Sequence, residues 1–455
     1  MGKTITTWTL SLPLILLLLF CSPARPMTIK EAVSYAMEHN RDILTVREQI
    51  TERKGQVLEA RSDALPQLNL NMNSYRVRDP GFLNSTFGQQ ILHGGGGSSD
   101  FPIPIEAILP RPQTFYELVM NVSQPIFTWG KVSNAVSLAK LGIQDVNLSL
   151  ESARQNVAYQ VSSAYYDVLV AVETIAMYEK ALETQKRYLQ QTRDFFEVGD
   201  GTRLDILRAQ SQLATTEPEL LMARHSLVQA EKTLNFLLGR SLDEPLSTSP
   251  VEAVEDFEAP PLDSVVQVAV LNRPDLRQLN VEVDMYDKTV NVFKADFRPR
   301  MDLNGHYGFS TIRTGDIFDR NFESWRVSLV LSVPVFDGFK NRGVVMQYRS
   351  QKNRKEIESQ KLAEQIRLQA RQTLDACTSA AEVYRGREIS LESSEEEERV
   401  TADQFDQGLV TLYELLDSNR RALLARSRSI DGRYGLLRQI ADLKRAMGIP
   451  VDELF

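Results

Sequence analysis

The sequence is poor in the residues on which several large classes of protein depend. It has only two cysteines and four histidines in 455 residues, and they show no His-x-x-x-His or cysteine pairing of the kind that binds metal. The net charge of −8 provides no basic surface for nucleic acid. No Gly-x-Ser-x-Gly nucleophile motif is present. These absences exclude nucleic acid as a partner, and we predict a protein that is not an enzyme and holds no cofactor or metal.

Long hydrophobic runs are also absent, except near the amino terminus. Residues 10–20 are mostly apolar and precede Ser22-Pro23-Ala24, which places small residues at −3 and −1 of a cut after Ala24. This pattern predicts a signal peptide over residues 1–24, and the alternative is a lipoprotein signal cleaved before Cys21. Because no other run approaches the ~18 residues of a spanning helix, a membrane crossing would have to use β-strands.

Four short segments alternate apolar and polar residues, as strands between two different solvents do. In the clearest of them, residues 325–333, the odd positions are apolar and the even positions except Val330 are polar. The predicted strands lie at about 65–76, 115–127, 299–311 and 324–336. Such strands, when tilted, cover the ~25 Å apolar band of an outer-membrane barrel. The alternative is a half-buried antiparallel sheet in a soluble domain.

The remaining segments have helical periodicity. One helical pattern covers residues 28–62, and a much longer one runs from about 130 to 198 without a proline. A helix of that length would extend about 100 Å, so it cannot wrap one globular core and favours coiled-coil or α-barrel packing. A return pattern follows the glycine-rich break at 199–202, and Pro218 is expected to kink or divide it.

The same order of elements occurs twice, which indicates a tandem duplication. Corresponding residues include Asp42 and Asp275, Pro66 and Pro299, Pro125 and Pro334, Gly199 and Gly408, and Gly239 and Gly448. The spacing within these pairs changes once, because the first outer loop is longer than the second. We predict a first repeat over 25–240, an acidic linker over 241–261 and a second repeat over 262–455, with long helical hairpins over about 130–239 and 340–447.

Four strands cannot close a barrel by themselves, and open strand edges in lipid leave backbone groups without partners. Several copies of the chain must therefore contribute to one barrel, which requires cyclic symmetry. The aromatic residues Tyr116, Phe309 and Trp325 lie at the outer strand ends on the apolar face, as in an interfacial girdle.

The repeat and three short motifs resemble the TolC-like outer-membrane efflux family, also called the outer membrane factors. The motifs are Gln124-Pro125-Ile126-Phe127, Val333-Pro334-Val335-Phe336-Asp337-Gly338 and Phe405-x-x-Gly408-x-x-Thr411-x-x-Glu414-Leu-Leu-Asp417. The resemblance covers nearly all of the chain after the predicted signal. It implies a mainly α fold with a small β part, in which a homotrimer forms a twelve-stranded transmembrane β-barrel and a periplasmic α-barrel.

The same resemblance implies a location and partners. The protein would lie in the outer membrane, in contact with its lipid, and extend into the periplasm. It would be the passive exit duct of a tripartite efflux or type I secretion system, joined by a periplasmic adaptor to an inner-membrane transporter. From the residues alone, a soluble periplasmic coiled-coil adaptor or scaffold with a small sheet stays open as the alternative.

The resemblance also implies roles for residues at the hairpin tips. The adaptor-docking candidates are Gly199, Gly201, Thr202, Gly408, Leu409, Val410 and Thr411, and the periplasmic gate candidates are Asp205, Glu414 and Asp417. A spacing of three puts Glu414 and Asp417 on one helix face, and threefold symmetry would turn each into a ring of carboxylates that attracts cations. The alternatives are an ordinary turn and solvated carboxylates.

Two departures from the family pattern concern these tips. Val410 stands where the family relative has a basic gate-linking residue, and Phe405 stands where it has a tyrosine, so the bonds of the closed state are expected to differ here. The glutamate-rich run 392–398 is expected to be a solvated helix face that the arginines at 420, 421, 426 and 428 could oppose.

Overall fold

The structure is a computed structural model that describes residues 26–78, 112–251 and 257–450. Three predicted features lie wholly or partly outside the described residues. These are the signal peptide over 1–24 with Cys21, most of the first outer loop, and residues 252–256 of the acidic linker.

The described chain is mainly helical and contains one small sheet, which confirms the predicted fold class. The helices are α1 (Ile29–His39), α2 (Arg41–Ser62), α3 (Lys131–Val198), α4 (Arg203–Leu238), α5 (Leu262–Asn272), α6 (Pro274–Asp296), α7 (Lys340–Asp406) and α8 (Leu412–Ala446). The strands are β1 (Gln67–Val77), β2 (Gln113–Phe127), β3 (Arg300–Thr311) and β4 (Glu323–Ser332), and two short 3-10 helices precede β4. Among the described residues, none of the helices combines the length and hydrophobicity of a membrane-spanning segment.

The chain divides into two compact units, and each draws on both sequence repeats. The hairpin unit consists of the described residues of Met1–Leu44, Ser152–Arg273 and Ile366–Phe455, and it contains the tips of both helical hairpins. The sheet unit consists of the described residues of Thr45–Glu151 and Pro274–Gln365, and it contains all four strands.

The four strands form one antiparallel sheet in the order β1-β2-β3-β4. β4 ends at Ser332, four residues before the end that the alternation predicts. The reason is Pro334, which has no backbone N–H to donate to a neighbouring strand. Within the described chain, β1 and β4 each have a partner on one side only, so the sheet has two open edges.

One face of the sheet is apolar and uncovered. The side chains on this face of the two edge strands are between 62% and 71% exposed, namely those of Leu68, Leu70, Met72, Trp325, Val327, Leu329 and Leu331. A contiguous apolar face of this kind is rare on the surface of a soluble monomer and marks a surface that contacts lipid or another protein.

The sequence predicts one helical segment over residues 28–62, but the structure has two helices there, separated at Asn40. The Asn40 Nδ2 donates to the carbonyl oxygen of Leu237 at 2.8 Å. Its Oδ1 accepts from the N–H of Asp42 at 2.9 Å and so caps the start of α2. Because the amide is 4% exposed and bonded on both sides, tertiary contact here separates α1 from α2.

Pro218 does not divide the return helix of the first repeat. α4 runs from Arg203 to Leu238 with Pro218 inside it, so the expectation of a division was wrong. Proline removes one helical hydrogen bond and costs about 3 kcal/mol. The helix nevertheless continues, and Thr216 and Ala223, on either side of the proline, are buried.

Both hairpins use the same glycine-ended turn. Gly199, Gly239, Gly408 and Gly448 have φ values of +90°, +75°, +73° and +70°. At each one, the N–H of the next residue donates to a carbonyl five residues back, as from Asp200 to Phe195 at 2.9 Å. An added Cβ at Gly239 would lie 2.5 Å from the carbonyl oxygen of His39, whereas at Gly199 it would meet nothing within 4 Å.

Gly239→Ala is therefore expected to lower the free energy of unfolding by about 3 kcal/mol, from left-handed strain and from overpacking against backbone. Gly199→Ala carries only the strain and should cost about 1 kcal/mol. Urea unfolding of the purified protein, followed by circular dichroism, compares the two. Equal losses would show that the His39 contact does not constrain position 239.

Candidate functional site

The two hairpin tips begin their return helices with the same hydrogen bonds. Before α4, the Thr202 hydroxyl donates to Asp205 Oδ2 at 2.6 Å, and the N–H of Asp205 donates to Thr202 Oγ1 at 3.2 Å. Before α8, the N–H of Thr411 donates to Glu414 Oε2 at 2.7 Å, and its hydroxyl donates to the same oxygen at 2.9 Å. Both are capping boxes, which satisfy the free N–H groups of a helix start.

Two of the three gate candidates are thus engaged with their own helices. The bonds from the N–H and the hydroxyl of Thr411 lower the pKa of Glu414, because they favour its ionised form. The signal for this role is local and readable, since Thr-x-x-Asp and Thr-x-x-Glu are capping-box patterns. The caps were not among the predicted features.

Asp417, the third gate candidate, is held by two arginines of its own helix. Arg420 Nη2 lies 2.8 Å from Oδ1, and Arg421 Nη1 lies 3.3 Å from Oδ2. The bond from Arg420 is the main cause that lowers the pKa of Asp417. Arg421 also reaches Glu397 on α7 at 2.6 Å, so it links the two helices of the second hairpin.

Glu414 and Asp417 lie three residues apart on α8 and so share one helix face, whereas Asp205 lies in the first turn of α4. Each of the three carboxylates bonds to groups of its own helix or of that helix's cap. Arg208, which the motif did not single out, contacts both tips. It is 3.7 Å from Asp205, its guanidinium lies 5.8 Å from the ring centre of Tyr413, and in the first repeat it occupies the position that Asp417 occupies in the second.

A hydrophobic core fixes the two tips to each other. The Phe195 and Phe405 rings, from different hairpins, meet edge to face with centroids 5.9 Å apart. Leu415 is fully buried in this core, which we call the tip core. Its buried members are Tyr188, Leu189, Ala209, Phe405, Leu412 and Leu415.

The predicted docking residues lie around this core, mostly on the surface. Leu409 is 69% exposed, while Val410 packs against the tip core. Gly201 has a structural reason to be glycine, because an added Cβ would lie 2.9 Å from the backbone nitrogen of Phe196. Further apolar side chains are exposed nearby, namely Val198, Leu204, Leu207 and Tyr413. The tips therefore offer an apolar surface on a rigid base.

Two of the four arginines that could oppose the glutamates of α7 do so, and Arg420 pairs with Asp417 instead. Arg421 bonds Glu397, and Arg426 bonds Glu395 at 2.8 Å and Glu398 at 2.7 Å. These ion pairs join α7 to α8 and form a charged network along the hairpin. The sequence did not predict which arginine bonds which glutamate, because that depends on the register in which α7 and α8 pack.

Comparison with known proteins agrees with this geometry. The sequence matches the family described as outer membrane efflux protein over residues 32–240 and 265–449. It is 25% identical to the alkaline protease secretion protein AprF of Pseudomonas aeruginosa over 349 residues, 74% of this chain and 71% of that one. Outer membrane protein TolC of Vibrio cholerae is 22% identical over 432 residues, 92% of this chain and 90% of that protein.

The fold matches that of solved channels. The crystal structure of the Campylobacter jejuni CmeC outer membrane channel superposes with a TM-score of 0.78 at 18% identity, and the match covers 92% of this chain and 85% of that one. Since the family match spans most of the sequence and the fold is that of these channels, as the resemblance in the motifs predicted, the chain belongs to the outer membrane efflux protein family.

Proposed function

We propose that three copies of this chain assemble into an outer-membrane exit duct for efflux or secretion. In this assembly β1 to β4 of each copy would contribute to a twelve-stranded barrel, and the helical hairpins would form the periplasmic part. The observation that carries the proposal is the four-stranded sheet with two open edges and an uncovered apolar face. Lipid would cover the apolar face, and a neighbouring copy at each edge would supply hydrogen-bond partners for the backbone groups there.

Membership of the family and the apolar surface of the tips support a proposal for the partners. The duct would receive its cargo from a periplasmic adaptor and an inner-membrane transporter, and it would be a conduit rather than an enzyme. The adaptor would dock on the exposed apolar residues around the tip core, Leu409 among them. Glycines at 199 and 408 allow close backbone approach there, because no atom lies within 4 Å of their Cβ positions.

The gate is proposed to be a ring of acids from α8. In a threefold assembly Glu414 and Asp417 would repeat around the axis and attract cations. The pairing of Asp417 with Arg420 and Arg421 reduces that field in the state described.

Replacing both acids, Glu414→Ala with Asp417→Ala, is expected to weaken block by a trivalent cation such as hexamminecobalt by severalfold in single-channel bilayer recordings. The matched control is Glu382→Ala, which removes an exposed carboxylate with an arginine three residues away, Arg385, at 2.9 Å. Unchanged block in the double variant would refute the ring.

The assembly itself is tested by cell fractionation and gel migration. We expect the protein in the outer-membrane fraction, as a trimer that dissociates only on heating, and we expect the purified trimer to conduct ions in planar bilayers. A monomer recovered from the periplasm without detergent would instead support the soluble adaptor or scaffold.

A further inference from the structure

The face of the sheet opposite the apolar one carries a continuous polar row. The strand register aligns Asn69 with Asn121, Asn121 with His306, and His306 with Arg326, one residue from each strand. The Nδ1 of His306 lies 3.2 Å from Asn121 Oδ1. The side chain of Arg326, at the end of the row, is exposed.

No carboxylate stands beside Arg326 on this face. Its cross-strand partner is His306, and its neighbours two positions away on β4 are Ser324 and Ser328. Within the part of the chain that the structure describes, Arg326 forms no ion pair. It is therefore a fixed positive charge with neutral or polar surroundings.

The two carboxylates that do lie on this face are already bonded elsewhere. Asp302 accepts from Arg300 Nε at 2.9 Å, and Glu117 accepts from the Tyr75 hydroxyl at 2.7 Å. Each is four residues along its strand from the row, which corresponds to about 13 Å. That distance exceeds the Debye length of about 10 Å at 0.1 M salt, so neither cancels the field of Arg326.

The neighbouring copy in the proposed duct would not supply a carboxylate through β1 either. This step rests on the proposed function, in which β4 of one copy pairs with β1 of the next. The side chains of β1 on the polar face are those of Gln67, Asn69, Asn71, Asn73 and Tyr75. None of them carries a carboxylate, so Arg326 stays uncompensated whichever register the two strands adopt.

We propose that the Arg326 side chains of the three copies form a ring inside the strand barrel in which each arginine by itself is a binding site for a multivalent anion. The ligand class is phosphates and carboxylates, since the planar guanidinium bonds such groups through two N–H donors. A ring of fixed charge in a pore raises the local concentration of the opposite ion. Arg326 is thus a specificity-determining residue, and its ring is opposite in sign to the acids proposed at the tips.

The test measures how pyrophosphate blocks the single-channel conductance of the protein in a planar bilayer at pH 8. The pyrophosphate is added on the side of the bilayer where the loops β1–β2 and β3–β4 lie. Arg326→Gln is expected to raise the half-blocking concentration about tenfold, as loss of a hydrogen bond to a charged group does. Arg326→Lys keeps the charge and should keep most of the block.

The matched control is the double variant Arg300→Gln with Asp302→Asn, which removes an arginine that is already paired and should leave the block unchanged. Equal block in Arg326→Gln and in the unaltered protein would overturn the ring while leaving the duct intact. A protein that forms no channel at all would overturn the proposed function and the ring with it.

Discussion

Leu329→Arg is expected to abolish stable trimers in the outer membrane. Leu329 lies in the middle of β4, opposite Leu303, and its side chain is 62% exposed on the apolar face. A charged residue on the lipid face of a membrane strand costs about 2 to 4 kcal/mol near the midplane. Three copies would each carry that cost, which is comparable in sum to the whole stability of many proteins. Immunoblots of unheated outer-membrane fractions measure the trimer.

The matched control is Ser328→Arg, which puts the same side chain one position earlier. Ser328 lies opposite Asn304 on the polar face, where the proposed duct holds water, and trimers should persist. Normal assembly of Leu329→Arg, or equal loss in both variants, would contradict the assignment of the apolar face to lipid.

Leu415→Ala is expected to lower the stability of the hairpin tips by about 2 to 5 kcal/mol, the usual cost of a cavity in a packed core. Leu415 is fully buried in the tip core, where residues of both hairpins meet. The loss should appear as a lower thermal midpoint of the detergent-solubilised protein and as faster proteolysis near the tips.

Leu409→Ala separates folding from docking at the same place. Leu409 is 69% exposed, so its removal should leave the thermal midpoint unchanged and still weaken capture of the cognate adaptor. If Leu409→Ala destabilised the protein as much as Leu415→Ala, the tip surface would belong to the core and would not be a docking surface.

The sequence predicted the strands because the alternation of apolar and polar side chains along a strand involves only neighbouring residues. The alternation in 325–333 located β4 correctly, and only its end was wrong, where Pro334 removes a donor. The break at Asn40 was not predictable in this way, since the Asn40 amide bonds a carbonyl 197 residues away. Pro218 shows the same limit, because α4 continues through this local helix breaker.

At the tips, the motif located the right residues but did not give their bonds. Thr411 and Glu414 form a cap that is readable from a spacing of three, and Arg420 is equally close in sequence to Asp417. The link from Arg421 to Glu397 crosses between helices, and no local pattern specifies which glutamate is chosen. The gate and docking roles stay predictions.

The open edges of the sheet also matter before any assembly exists. β1 offers its unpaired backbone alongside Asn69, Asn71 and Asn73, with no lysine or proline to discourage a wrong partner. A newly exported chain would therefore be prone to aggregate through this strand while it waits for its neighbours. Single chains would have to be kept apart until these edges pair.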